Sequence, residues 1–421
     1  MALDDPRNFL KSLFLGAVDA ADPKRIIPEN LPEKPKGRTI VVGAGKASAA
    51  MAKAFEDSWD GPLTGLVVTR YGYKVACSRI EIVEAAHPVP DQSGLQAAVR
   101  MRDLVSGLSA DDLVVALISG GGSSLLPLPP EAIGLEGKAA VNDVLLKSGA
   151  TIHEMNCVRK YLSTIKGGRL AEAASPARVV SLVLSDIPGD DPALVASGPT
   201  VPDGSGRDQA LAIVERYDMA LPQAAMDWLR ADANRAPDPN DPRFARNQVR
   251  IVGASLLSLQ AAADAARKAG VEARILSDAM EGEARDVGLV HAALARQISL
   301  YDEPFAKPVL LLSGGETTVT VRGKGRGGRN TEFLLGFAIA IRGLSGIHAV
   351  AADTDGIDGS ESNAGAFADG TSFDRLFGKG IDPRAVLAAN DAYSAFEALD
   401  DLLVTGPTRT NVNDFRALLI V

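Results

Sequence analysis

Cysteine, histidine and aromatic residues are scarce in this chain of 421 residues. It has two cysteines and four histidines, and aromatic side chains make up 5% of the total. Cys77 and Cys157 are too few for a disulfide scaffold and have no metal-ligand spacing, so a reducing cytoplasm is the compartment that we expect. The histidines show no ligand spacing either, and no serine lies in a G-x-S-x-G motif, which leaves no basis for a serine hydrolase.

The chain also has no excess of positive charge and no long apolar segment. Its formal net charge of -9 argues against general affinity for nucleic acid or acidic membranes, which bind basic surfaces. The N-terminus is acidic and the apolar stretch 13–18 stops at Asp19, so we expect neither a signal peptide nor a spanning helix. Leu10, Phe14 and Val18 have helical spacing instead and predict an amphipathic first helix that packs on the body of the protein.

Apolar runs alternate with alanine-rich helical stretches along almost the whole chain. Short, fully apolar strands between helices are typical of parallel sheets covered on both faces, which predicts an α/β fold. We predict strands at 39–42, 65–69, 79–84 and 113–118, and further strands at 250–253, 272–276, 309–312, 317–321, 348–352 and 401–405.

The length of the chain favours two or three domains. Residues 231–242 are the most polar and proline-rich stretch, and their three prolines oppose both helix and sheet. We therefore predict an N-terminal α/β domain at 1–240 and a C-terminal α/β domain at 241–421, each a mostly parallel sheet flanked by helices.

Two glycine turns follow apolar runs, Ser119-Gly-Gly-Gly-Ser-Ser124 and Ser313-Gly-Gly-Glu316. A strand that ends in Ser-Gly-Gly exposes backbone N–H groups that suit phosphate or carboxylate. Four basic residues follow the second turn in the stretch 322–329, which ends at Arg329. Two such turns favour an anion-binding site, while for each turn alone a tight strand exit is the alternative.

The loop Gly43-Ala-Gly45-Lys46 joins the first predicted strand to an alanine-rich helix. Its glycines permit a tight turn that brings backbone donors near an anion, and Lys46 adds a positive charge at the helix N-terminus. The loop resembles half of a dinucleotide fingerprint. However, Ser48 stands where the third glycine would be, and Thr69-Arg70 where an acid would hold the ribose. A Walker A loop cannot be fitted, and a purely structural role for the two glycines stays open.

Acidic turns follow two further apolar runs, with Asp186 and Asp190 in the first and Asp353 and Asp355 in the second. Carboxylates at strand exits can hold Mg²⁺, which often takes only one or two ligands from protein. The same residues form ordinary turns without any metal. A substrate hydroxyl is a further alternative for the second turn.

A basic stretch contains Arg159, Lys160, Lys166 and Arg169. Charges at helical spacing usually face solvent, and we interpret most of these side chains as a solvated face.

Taken together, these loops resemble those of the glycerate 2-kinases whose C-terminal half is the MOFRL domain, a family also named provisionally as hydroxypyruvate reductases. The matching stretches occur in the family's order over nearly the whole chain, at 42–48, 87–91, 118–124, 156–160, 184–190, 197–200, 313–318, 327–330 and 353–356. The motif after which the domain is named is only loosely present, in Leu334-Leu-Gly-Phe337.

The resemblance implies a Rossmann-like N-terminal domain, a MOFRL-type α/β C-terminal domain and a cleft between them. There, ATP and Mg²⁺ would serve to phosphorylate D-glycerate at its 2-hydroxyl and give 2-phosphoglycerate, in the cytoplasm and without nucleic acid or membrane. The family's essential lysine falls on Lys46 and its essential arginine on Arg329. Contacts to substrate or nucleotide are expected from Gly43, Gly45, Ser119, Gly120, Gly121, Gly122, Ser123, Ser124, Ser313, Gly314, Gly315, Glu316, Asn330 and Thr354. The metal candidates are Asp186, Asp190, Asp353 and Asp355.

Two other functions compete with phosphoryl transfer. An NAD(P)H-dependent hydroxypyruvate reductase needs a fuller fingerprint and a proton donor with an orienting acid, which the sequence does not show. A phosphosugar-binding regulatory module could use the Ser-Gly-Gly loops, but it would not need Lys46, Arg329 and the acidic turns together.

Overall fold

The computed structural model describes residues 4–231 and 234–421. The strands in this part of the chain are β1 Thr39–Ala44, β2 Thr64–Arg70, β3 Ile80–Ala85, β4 Leu113–Ser119, β5 Arg178–Leu184, β6 Gln248–Gly253, β7 Glu272–Ser277, β8 Val309–Gly315, β9 Ile347–Asp353, β10 Gly365–Asp369, β11 Leu402–Leu403 and β12 Asp414–Ile420. The helices are α1 Pro6–Ala20, α2 Pro23–Ile26, α3 Ser48–Ser58, α4 Gln92–Val105, α5 Gly122–Leu125, α6 Gly134–Lys147, α7 Ile152–Tyr161, α8 Arg169–Ala174, α9 Arg207–Arg216, α10 Gln223–Arg230, α11 Ser255–Lys268, α12 Ala284–Tyr301, α13 Arg329–Ala340, α14 Ser372–Gly378, α15 Pro383–Ala388 and α16 Ala392–Leu399. None of these helices has both the length and the apolar character needed to cross a membrane.

These residues form two compact units that are not continuous in sequence. The first unit contains Pro23–Ser185 and Asp190–Val252. The second contains the segment that ends at Asp22, the short piece Asp186–Gly189, and Gly253–Val421. The predicted boundary segment 231–242 includes residues 232 and 233, which lie outside the described residues, and the domain division at residue 240 stays a prediction.

The first unit contains a six-stranded sheet in the order β3-β2-β1-β4-β5-β6. The four pairs from β3 to β5 are parallel, and β1 and β4 are buried along their whole length. This is the strand order of the doubly wound α/β fold, in which the direction of progression reverses between β1 and β4. The α/β class is confirmed. Such sheets bind ligands at the carboxyl ends of the two strands where the order reverses.

Helices alone form a second core in the first unit. Side chains of α6, α7, α9 and α10 pack together, among them Leu145, Val158, Ile213 and Leu229, and Cys157 is buried with them. The apolar contacts of this cluster hold α6 and α7 together.

The second unit contains a six-stranded sheet in the order β11-β10-β9-β12-β8-β7. Four of its strands, β7, β8, β9 and β11, run in one direction, whereas β10 and β12 run against them. Most strands of this sheet therefore run in the same direction, as predicted. Because β10 and β12 lie between them, four of the five neighbouring pairs are nevertheless antiparallel.

Both faces of the second sheet are covered by helices. Alternate residues such as Leu310 and Leu312 of β8 pack against α1 and α11, and the residues between them, such as Leu311, pack against α12, α13 and α16. Leu10 and Phe14 of α1 are buried in the first of these cores. The predicted amphipathic first helix is thereby confirmed.

The strands of the second unit differ from the prediction at three places. Residues 317–321 form no strand, because the chain leaves the sheet at Gly315 and makes only a single bridge, at Thr318. Two strands were not predicted. β10 is built of small residues, and the apolar pattern of β12 is interrupted by Arg416.

The crossing of α12 and α13 generates a stability prediction. A Cβ at Gly288 would overlap the carbonyl oxygen of Phe333, whereas a Cβ at Gly16, in the exposed middle of α1, would have no atom within 4 Å. Gly288→Ala should therefore lower the free energy of unfolding by about 1–3 kcal/mol, and Gly16→Ala should raise it by about 0.5–1 kcal/mol. Urea unfolding followed by circular dichroism measures both. Equal effects of the two substitutions would contradict the close helix crossing.

Candidate active site

Four segments lie at the carboxyl ends of neighbouring strands in the first sheet. Lys46 follows β1, Arg70 ends β2, His87 follows β3, and residues 120–124 follow β4. Because these strands are parallel neighbours, their carboxyl ends share one edge of the sheet. The structure therefore brings Lys46 and the first glycine turn to the place where doubly wound sheets bind ligands.

The side chain of Lys46 lies against the glycine turn. A Cβ at Gly121 would be 3.4 Å from Lys46 Cγ and 3.1 Å from His87 Nε2, and the φ of Gly121 is 79°, a value that favours glycine. Burial, and then the positive charges of Lys46 and Arg70, lower the pKa of His87 to about 4. His87 is therefore neutral at pH 7, and the positive potential around it suits an anionic ligand.

The backbone donors of the loop after β1 are used inside the protein. The N–H of Gly45 donates to a carbonyl oxygen in β2 at 3.1 Å, and that of Lys46 to one in the glycine turn at 2.8 Å. The N–H of Ala47 donates to the Ser119 hydroxyl at 3.0 Å. A Cβ at Gly43 or Gly45 would overlap atoms of β4. These glycines permit the close approach of β1 to β4, and their contact with a ligand stays a prediction.

The serines that begin the two Ser-Gly-Gly turns connect neighbouring elements. The buried hydroxyl of Ser119 lies 3.1 Å from Ser48 Oγ. The buried hydroxyl of Ser313 lies 3.0 Å from Nε2 of His291, whose Nδ1 is 2.8 Å from the carbonyl oxygen of Val287. Both hydroxyls have partners within their own unit, and direct ligand contact by either serine stays a prediction.

Glycines of both turns are also required by close packing. A Cβ at Gly122 would lie 2.6 Å from Ala196 Cβ. A Cβ at Gly314 would overlap the hydroxyl of Ser255, and one at Gly315 would overlap a backbone nitrogen in the segment after β7. The turns are therefore tight strand exits, and this packing role does not prevent them from binding an anion as well.

The interpretation of the basic stretch as a solvated face is wrong. Lys160 and Lys166 are 4% and 3% exposed, and Arg159 and Arg169 are half-buried. Helix α7 packs into the helical core of the first unit, and that packing removes the charged end of the helix and the segment after it from solvent.

In the second unit, an arginine connects carboxylates from different parts of the chain. Asp414, the first residue of β12, lies between Gly315 of β8 and Asp353 of β9 in the register of the sheet. Arg329, the first residue of α13, donates from Nε to Asp414, from Nη1 to Glu316 and from Nη2 to Asp353, each at 2.7 Å. Its guanidinium is therefore held by three carboxylates.

The charges in this cluster shift the pKa of the arginine and of a carboxylate that it binds. Burial alone would lower the pKa of Arg329, but the charges of Asp414, Asp353 and Glu316 raise it above its ordinary value. Burial, and then the charge of Asp355, raise the pKa of Asp353 well above its ordinary range. Arg329 thus stays charged, whereas Asp353 binds a proton more readily than an exposed aspartate does.

Sequence reasoning missed Asp414 and Arg416, and it did not predict that Asp358, the third acid of the turn that contains Asp353 and Asp355, caps a helix. The Asp358 carboxylate accepts the backbone N–H groups of Asn330 and Thr331, each at 2.9 Å, and so caps α13. Asp414 also pairs with Arg416, which is fully buried in β12. One feature of the sequence could have identified Asp414 and Arg416. They are opposite charges two residues apart at the start of an apolar run, and such charges are buried in a sheet only as a pair.

Asn330 and Thr354 differ in what they leave unused. Asn330 Nδ2 donates to Asp414 at 2.8 Å, while Asn330 Oδ1 is buried and has no hydrogen-bonding partner among the described residues. The Thr354 hydroxyl donates to the carbonyl oxygen of Asn413 at 2.7 Å and accepts the N–H of Val412 at 2.9 Å. Asn330 therefore keeps one acceptor without a partner among the described residues, whereas the Thr354 hydroxyl already has its partners.

The four aspartates predicted to hold a metal are divided between the units. Asp190 belongs to the first unit, and Asp186, Asp353 and Asp355 belong to the second. Within residues 4–231 and 234–421, no group of three or more His, Cys, Asp or Glu side chains is arranged to hold a metal ion. Mg²⁺ often takes only one or two carboxylates from protein. The buried pair Asp353 and Asp355, with its mutual repulsion, fits that smaller requirement.

Comparison with protein families divides the chain into two parts. Residues 9–230 match the model described as "Domain of unknown function (DUF4147)", and residues 309–414 match the MOFRL family. These matches identify an α/β protein that has a MOFRL domain in its C-terminal part.

The relatives of the chain match it over almost its full length. A protein of Agrobacterium vitis, named provisionally as a hydroxypyruvate reductase, is 54% identical over 98% of this chain and 94% of its own. The D-glycerate 2-kinase of Thermotoga maritima is 40% identical over 99% of this chain and 100% of its own. A crystal structure of glycerate kinase from Thermotoga maritima superposes with a TM-score of 0.90 at 39% identity, over 97% of this chain and 98% of that one. The chain belongs to the glycerate kinase family that contains a MOFRL domain.

The basic surroundings of His87 can be measured directly. Lys46→Met should raise the pKa of His87 from about 4 toward 6.5, because one of the two nearby positive charges is removed while the burial remains. Histidine NMR titration measures this pKa. His348, whose pKa is lowered by its own burial in the second unit, serves as the control and should not change. An unchanged His87 pKa in Lys46→Met would mean that the lysine does not act on this edge of the sheet.

Proposed function

We propose that the protein is a glycerate 2-kinase. In this reaction the γ-phosphoryl group of ATP, with Mg²⁺, is transferred to the 2-hydroxyl of D-glycerate, and 2-phosphoglycerate is released. The full-length match to a relative named D-glycerate 2-kinase supports the substrate. Cys77 and Cys157 are both free, which suits the reducing cytoplasm in which we propose that the enzyme acts.

The loop after β1 is the observation that favours phosphoryl transfer over a dinucleotide-dependent reaction. It presents the charge of Lys46 beside the glycine turn, but its N–H groups at Lys46 and Ala47 already donate to protein acceptors. Phosphoryl transfer needs positive charge around the equatorial oxygens and little covalent chemistry from the protein. The loop supplies this charge without forming a pyrophosphate cradle.

The reductase alternative is favoured by the provisional name of the Agrobacterium vitis relative and by Arg70. An arginine at the end of β2 can bind the 2′-phosphate of NADP. However, a dinucleotide places its pyrophosphate on free N–H groups of the β1 turn, and here those groups have partners. The kinase is therefore the better supported proposal.

The residues of the second unit have a supporting part in this proposal. Asp353 and Asp355 would hold Mg²⁺, and Asn330 Oδ1 is an additional oxygen without a partner among the described residues. When bound, the ion neutralises charge on the phosphate groups. Arg329 keeps Asp353 and Glu316 in fixed orientations through hydrogen bonds of 2.7 Å. We propose that it acts as a positioning residue.

Phosphoryl transfer needs both kinds of group, a cation for the migrating phosphoryl group and oxygen ligands for the metal. We propose that Lys46 of the first unit and Asp353 of the second act on the same substrates. The interdomain cleft implied by the family resemblance is a site of this kind.

Turnover of the purified protein tests the reaction. With D-glycerate, ATP and Mg²⁺ it should release ADP, and with hydroxypyruvate it should oxidise neither NADH nor NADPH. Lys46→Met should lower kcat by roughly 10² or more, because the charge of Lys46 contributes most in the transition state. Lys53→Met is the matched control, since Lys53 forms a surface pair with Asp57 in α3 and such pairs contribute little.

Three outcomes would contradict this account. Normal turnover by a folded Lys46→Met variant would make the lysine a surface charge. NAD(P)H oxidation without ADP release would establish the reductase. Binding of 2-phosphoglycerate without any turnover would favour the regulatory module.

Arg329→Lys keeps the charge but loses the planar fork that contacts three carboxylates. We expect kcat to fall by at least roughly 10², because lysine cannot orient several carboxylates at once, and we expect the Mg²⁺ concentration for half-maximal activity to rise. Arg322→Lys, in the same basic stretch but exposed, should keep normal rates. Steady-state kinetics over a Mg²⁺ series measures both variants. Equal, near-normal parameters would show that Arg329 does not position groups that act in the reaction.

A further inference from the structure

A cavity of about 370 Å³ lies in the first unit between α6 and α7. Leu135, Lys138 and Asn142 line it from one face of α6, and Asn156 and Arg159 line it from α7. Its volume is within the range of small-molecule sites, roughly 300–1,000 Å³. We call it the α6–α7 cavity. No binding role was predicted from the sequence for the basic residues that line it.

Three cationic side chains line this cavity, Lys138, Arg159 and Lys166. Across the described ranges, none of the three forms an ion pair with a carboxylate. Arg159 is oriented by amide oxygens, at 2.6 Å from Asn142 and 3.3 Å from Asn156. Lys166, which is 3% exposed, donates to the backbone carbonyl oxygen of Ser123. Arg159 and Lys166 are thus held by neutral groups that do not compensate their charge.

Lys160, six residues before Lys166, is a buried lysine whose charge is paired within the protein. Lys160 is as deeply buried as Lys166, and it forms an ion pair with Asp203. Buried charges are normally paired in this way unless they bind a ligand. Lys166 departs from that rule within six residues of Lys160.

The positive charges of the cavity act on one another. Burial, and then the charges of Lys138 and Arg159, lower the pKa of Lys166 well below its ordinary value. Burial, and then the charge of Arg159, lower the pKa of Lys138. Asp143, on an exposed part of α6, is the carboxylate that also lines the cavity. An anion bound here would relieve the repulsion among the three cations.

We propose that the α6–α7 cavity is a binding site for a polyphosphate chain. A single carboxylate would neutralise one of the three cations, whereas a polyphosphate carries enough negative charge for all of them. Ser123 and Ser124 of the glycine turn also line the cavity, so it adjoins the loop that sequence reasoning assigned to anions. The assignment of this polyphosphate to the phosphoryl donor rests on the proposed kinase function.

Calorimetric titration of the full-length protein with inorganic tripolyphosphate, without metal, tests the site. Binding should be saturable and should weaken with added salt, because charge attraction carries it. An anion stabilises the ammonium form of Lys166, so the lowered pKa of this lysine should rise on binding. No saturable binding to the folded protein would overturn the proposal.

Lys166→Met should weaken tripolyphosphate binding by roughly 10- to 100-fold, while the melting temperature stays the same or rises because a buried amine without a carboxylate partner is removed. Lys138→Met should also weaken binding and serves as the second variant. Lys147→Met, on the exposed end of α6, is the matched control and should bind normally. Unchanged affinity in folded Lys166→Met and Lys138→Met would overturn the proposal.

Two further ligands identify the source of the phosphate and separate this proposal from the kinase. ATP should compete with tripolyphosphate, whereas 2-phosphoglycerate should compete only weakly. Equal competition by 2-phosphoglycerate would assign the cavity to the product and overturn its assignment to the donor. ADP release from D-glycerate with unaltered tripolyphosphate binding in the variants would refute the cavity alone. Tight tripolyphosphate binding without turnover would refute the kinase alone.

Discussion

The second unit depends on one buried charge, Asp414. It stands at the start of a central strand, between β8 and β9, and accepts hydrogen bonds from Arg329, Arg416 and Asn330. A buried carboxylate is tolerated only when such partners surround it. Because those partners come from β12 itself and from α13, the same interactions that make the strand stable also fix the position of Arg329, and through it those of Asp353 and Glu316.

The two units handle charge in opposite ways. In the second unit, one arginine, Arg329, binds three carboxylates. Its nitrogen atoms hold these carboxylates in fixed orientations. In the first unit, Lys46 and Arg70 surround a neutral His87, and three further cations line the α6–α7 cavity without carboxylate partners among the described residues. A phosphate donor needs cations and a metal needs oxygens, so this division matches the two chemical requirements of phosphoryl transfer.

Sequence patterns predicted the parts of this arrangement that depend on local order. The apolar runs identified β1 to β4 and the turns that follow them, and the spacing of Leu10 and Phe14 identified α1. The patterns failed where a distant partner decides the outcome. Arg416 concealed β12 because its burial depends not only on Asp414 but on two acceptors far away in sequence, the Gly314 carbonyl oxygen and the Thr317 hydroxyl. Lys166 and Lys160 were assigned to solvent because nothing in their spacing shows that α7 packs into a helical core, and the hydroxyls of Ser119 and Ser313 have partners far away in sequence.

We propose that these groups serve phosphate transfer to an alcohol. Phosphorus NMR of the protein incubated with D-glycerate, ATP and Mg²⁺ tests it most directly, since it shows both the transfer and its position. We expect loss of the γ-phosphate signal and a new phosphomonoester signal split by the single proton on carbon 2 of the acid. An unchanged ATP spectrum, or a phosphomonoester signal split by the two protons on carbon 3, would contradict it.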